Sequence, residues 1–72
     1  MRGPAAIETP EDVQAWLAAI RNEITDDEAA HSDEDEMRRL VLEAIAAGHP
    51  RAAELARLAL DSENLDFGRW CA

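Results

Sequence analysis

Gly48-His49-Pro50 divides two alanine- and leucine-rich stretches and limits the fold more than any other feature of this chain. Glycine supplies the left-handed residue that ends a helix, and proline is preset for a first helical turn. A helix that stops at this glycine and another that starts at this proline must double back as an αα-hairpin. Before the turn, Met37, Leu40, Val41, Ala44 and Ile45 form one apolar stripe, with Leu42 and Ala46 off it. After the turn, Ala52, Leu55, Ala56, Leu58, Ala59 and Leu60 spread over about 200° of helix surface, more than one neighbour covers. The second helix of the hairpin therefore needs two neighbours or a partner chain.

A further helix precedes the hairpin. Thr9 offers an N-cap oxygen, Pro10 fits the first helical position, and Glu11 and Asp12 favour the positive end of the helix dipole. Val13, Trp16, Leu17, Ile20 and Ile24 then fall within an arc of about 100°, the mark of a one-sided surface helix. The expected architecture is all-α: a small three-helix bundle with helices over residues 10–24, 33–47 and 50–61. Residues 1–8, with Gly3 and Pro4, read as a flexible arm, and 9–72 as one helical domain. The tail, 62–72, carries Leu65, Phe67 and Trp70 and is expected to fold back over the bundle, closing gaps left by small alanines.

Between the first helix and the hairpin lies Asp-Asp-Glu-Ala-Ala-His-Ser-Asp-Glu-Asp-Glu, seven carboxylates in residues 26–36. Two start signals compete here, Thr25 with Glu28 and Ser32 with Asp35, both at capping-box spacing. Starting at Asp26 sets like charges three and four residues apart. Starting at Asp33 gathers four acids where the dipole favours them and offers Glu34–Arg38, Asp35–Arg39 and Arg39–Glu43 pairs worth about 0.3–0.5 kcal/mol each. The later start is the expectation, with Asp26, Asp27, Glu28, Asp33, Glu34, Asp35 and Glu36 on the surface.

Charge polarity suggests what those acids do. Residues 1–36 hold eleven acids and two arginines, whereas 37–72 hold five of each, so the whole net charge of −9 lies in one half. If helical, the run has one charge per ~2.4 Å, comparable to one per ~1.7 Å along duplex DNA. Direct nucleic-acid binding is not expected, because the seven arginines are scattered. A protein with a basic surface is the expected partner of the run. Leu42, Leu55, Leu58, Leu60 and Trp70 are candidates for an apolar partner or homodimer surface.

Other chemistry finds little footing. The acidic run lacks the glycine and alternating pattern of a calcium loop, and His31, His49 and Cys71 make no zinc-ligand spacing, so neither metal nor cofactor is expected. No serine, cysteine or histidine has a base and an orienting partner at motif spacing, which argues against an enzyme. One cysteine precludes an internal disulfide and fits a reducing compartment. The first residues lack a signal-peptide core and no apolar run approaches the ~20 residues of a membrane span, so a cytoplasmic protein without membrane contact is expected. The sequence thus points to a non-catalytic acidic interaction module, in its most concrete form a phage-borne or regulatory inhibitor of a nucleic-acid-binding protein by charge mimicry. The alternatives are a structural homodimer whose acidity serves solubility, and an antitoxin-like neutraliser.

Overall fold

The computed structural model describes residues 3–67, and they form an all-α bundle of three helices: α1 (Pro10–Asn22), α2 (Asp27–Ala46) and α3 (Ala52–Leu60). A 3₁₀ turn over Asp61–Asn64 follows, and each helix packs against the other two. The core joins Val13, Trp16 and Ile20 of α1, Ala30, Met37, Leu40 and Val41 of α2, and Leu55 and Ala59 of α3. Leu17 and Ile24 lie half-buried against it, so the α1 stripe expected from periodicity is the one that packs.

Each helix end has a local cause. At the start of α1 the Asp12 carboxylate accepts hydrogen bonds from the backbone N–H groups of Glu8 and Thr9, at 2.8 and 3.0 Å. α2 ends in a Schellman arrangement: His49 N–H donates to Ala44 O and Gly48 N–H to Ile45 O, with Gly48 at φ +87°. The hairpin turn is therefore built as its glycine requires. Pro50, expected to open α3, stays in the turn instead, and α3 begins at Ala52 with Arg51 as its N-cap. His49 explains the delay, because its Nδ1 accepts the Arg51 N–H at 3.0 Å.

α2 begins at Asp27, six residues before the expected Asp33. Its cap is Asp26, whose side chain accepts from the Ala29 N–H at 3.1 Å. Extending the core stripe backwards from Met37 by helical steps reaches Glu34, Asp33 and Ala30, and these three positions are buried. The first turns of α2 are held as a wall of the core, which offsets like-charge repulsion of a few tenths of a kcal/mol per pair.

The arm is also part of the bundle. Ile7 is buried, the Trp16 indole N–H donates to Pro4 O at 2.9 Å, and a Cβ on Gly3 would fall 2.5 Å from the Trp16 ring. Gly3 and Pro4 therefore lie against α1 while Ile7 enters the core, and Gly3 is required by that close approach. His49 Nε2 reaches Glu8 O at 2.8 Å and ties the end of the arm to the hairpin turn. At the other end, Leu65 is half-buried and Phe67 is buried in the core, so the chain after α3 does fold back. Trp70 and Cys71 lie outside the described residues.

Candidate functional site

The acidic run divides in two once it is wound into α2. Asp26, Glu28 and Asp35 are exposed, and Asp27 and Glu36 are half-buried. Asp33 and Glu34, expected on the surface, are 3% and 2% exposed. The reason is phase: they occupy the same inward stripe as Ala30 and Met37. Glu34 lies 3.7 Å from the Arg38 guanidinium, which also approaches Glu63 at 3.6 Å and donates to the buried Ser62 hydroxyl at 3.2 Å. Arg38 thus pins α2 to the 3₁₀ turn while facing a buried carboxylate, and removing one partner of such a pair leaves an expensive charge behind.

Asp33 meets α1. Its Oδ2 is closed off from solvent, and the carboxyl of Glu23, the residue that caps α1, is its acidic neighbour across the helix junction. Partial burial first, then the neighbouring Asp33 carboxylate, and then Asp26 hold the Glu23 pKa above its usual 4.5.

Of the three expected ion pairs, Glu34–Arg38 and Arg39–Glu43 form and Asp35–Arg39 does not. Arg39 turns instead to Glu36, through Nη2 at 2.6 Å and Nε at 3.1 Å. These carboxylates hold the guanidinium above its ordinary pKa, the bond to Glu36 being the main cause. Asp35 instead lies 3.6 Å from His31. The remaining acidic surface is therefore partly neutralised and spread around the helix.

The apolar candidates also separate. Leu55 is fully buried at the centre of the core, so it cannot contact a partner, and Leu58 is half-buried against that core. Leu42 and Leu60 are 64% and 57% exposed. They stand on either side of a groove of about 240 Å³ between α2 and α3, with Val41, Ile45, Ala56 and Ala59 between them and Arg38 at its edge. Leu42 lies about 100° round α2 from the buried Val41, which leaves it at the open side of the bundle. Helical spacing sets Leu42 off its stripe, but within the wide arc of α3 it does not separate buried Leu55 from exposed Leu60.

Among the described residues no cluster of three histidine, cysteine or carboxylate side chains is placed to hold a metal ion, and no helix is long and apolar enough to cross a membrane. The groove offers shape and apolar surface rather than a paired acid and base. No family model matches the chain, and comparison with curated proteins and with solved structures finds no significant match.

Proposed function

We propose that this chain is a non-catalytic protein-interaction module whose contact surface is the apolar face shared by α2 and α3. One observation carries the reading: Leu42 and Leu60 project on either side of the groove at 64% and 57% exposure while the rest of the large apolar residues described are buried or half-buried. Single exposed leucines are ordinary, but two bordering one continuous apolar groove mark a place where another surface gains by covering them. A partner protein is the occupant such a groove suits, because the lining offers little to orient a small polar substrate.

The charge-mimic reading, in which Asp26, Asp27, Glu28 and the acids from Asp33 to Glu36 engage a basic protein, has narrower support. The net charge of −9 favours it, and so do exposed Asp26, Glu28 and Asp35. Burial of Asp33 and Glu34 takes two of the seven carboxylates off the surface. An antitoxin-like neutraliser would draw on the same reduced set.

Site-specific photocrosslinking separates the two. A benzophenone amino acid at position 42 or at position 35, irradiated in the cells that make the protein, reports what touches each face. Adducts that form at 42 and are weak at 35 are expected. Adducts at 35 alone would overturn the proposal in favour of charge mimicry, and adducts at neither position would overturn it outright.

A further inference from the structure

We infer that the occupant of the α2–α3 groove is a second copy of this chain, docked about a two-fold axis; this rests on the reading of that face as a contact surface and names its partner. Shape is the first ground. A two-fold interface must present both a knob and a matching hole on one surface. Leu42 and Leu60 are projecting knobs, and the groove they border together with Val41, Ile45, Ala56 and Ala59 offers about 240 Å³ of mainly apolar space. A leucine from each copy can enter the groove of the other, burying both pairs of exposed side chains at once.

Charge is the second ground, and it decides between occupants. Residues 38–63, which build the groove and its ends, hold four arginines and four acids, whereas the net −9 lies within residues 1–36. A strongly basic partner would be drawn to the acidic segment rather than to this neutral face. A second copy brings neutral surface to neutral surface, with Arg38 and Glu63 already paired near the rim. Repulsion between the acidic segments of the two copies then acts at a distance and weakens as salt rises.

Sedimentation equilibrium of the full chain, from about 10 µM to about 1 mM, tests this directly. The mass is expected to climb from the 7.9 kDa of one chain towards twice that value and stop there. Leu42→Lys and Leu60→Lys alter exposed side chains, so each variant should keep its helical circular dichroism while its dimer Kd rises at least about tenfold. High salt should leave association unchanged or strengthen it. A mass that stays at 7.9 kDa throughout, a mass that grows without limit, or undiminished dimerisation of both lysine variants would each overturn the inference. Monomeric protein that still crosslinks from position 42 to a different chain would overturn the second copy alone; absence of any adduct at 42 would remove the contact surface as well.

Discussion

The two halves of α2 invert the usual rule about what belongs inside. Its first half, from Asp27, buries Asp33 and Glu34, while its second half holds Leu42 in solvent. Neighbour coverage rather than residue type decides the difference. The first half meets Glu23 at the end of α1, and its Glu34 faces Arg38, which reaches the 3₁₀ turn after α3, so carboxylates there are enclosed by tertiary neighbours. The second half meets α3, whose nine residues span only about 14 Å of the roughly 30 Å length of α2. Enclosed charge therefore reads as structure here, and uncovered leucine is what the proposed contact surface is built on.

The comparison breaks most easily at Leu55. Leu55→Ala removes a fully buried side chain and should cost about 2–5 kcal/mol, enough to unfold most of a domain whose core supplies only about 3–5. Leu60→Ala, on the same helix, should stay within about 0.5 kcal/mol in dilute protein. Urea unfolding of both measures the contrast, and equal losses would erase it.

Gly3→Ala tests whether the arm belongs to the enclosed side. A methyl group 2.5 Å from the Trp16 ring must displace either the arm or the indole, and a loss of about 1–3 kcal/mol is expected. Trp16 fluorescence should shift towards its water-exposed wavelength in the same variant. Unchanged emission and stability would mean that the arm does not depend on this contact.

Arg38→Ala should cost about 1–2 kcal/mol, less than a fully buried ion pair because the guanidinium is half-exposed and 3.7 Å from Glu34. Adding Glu34→Gln should recover part of the loss, since the stranded charge disappears with it. A double-mutant cycle reads that coupling. Additive losses would show that Arg38 acts by packing alone.

Glu23→Gln probes the carboxyl pair at the α1–α2 junction, and its sign follows from linkage. Glu23 binds its proton more tightly folded than unfolded, so its contribution to stability is full below pH 4.5 and fades as pH rises through the raised value. The amide cannot lose a proton, so the variant should melt higher than the parent chain at pH 7 and converge with it near pH 4. Thermal melts across that range decide it. A variant that melts lower at pH 7 would contradict the reading that the Glu23 charge is disfavoured in the folded chain.

Much of this fold is legible in the sequence. The stripe of Val13, Trp16 and Ile20, the glycine at the turn, and the off-stripe position of Leu42 all follow from helical sequence patterning. What stayed hidden depends on tertiary coverage. Local charge rules placed the start of α2 at Asp33, because repulsion within a helix is readable from spacing while the walls that enclose a carboxylate are not. The stripe traced back from Met37 was the available signal, and the polarity of Asp33 and Glu34 masked it. Leu55 was grouped with Leu58 and Leu60 because a 200° apolar arc does not say which part a neighbour covers. The arm's docking rests on one glycine and one indole, a contact far apart in sequence.

The central claim, that Leu42 and Leu60 serve contact and not folding, is tested most directly by the double variant Leu42→Ser, Leu60→Ser in urea titrations at several protein concentrations. The account predicts a midpoint in dilute protein equal to that of the parent chain within about 1 kcal/mol, together with loss of the rise in midpoint that the parent shows as concentration increases. A double variant that is unfolded in dilute protein, or that keeps the same concentration dependence as its parent, would contradict it.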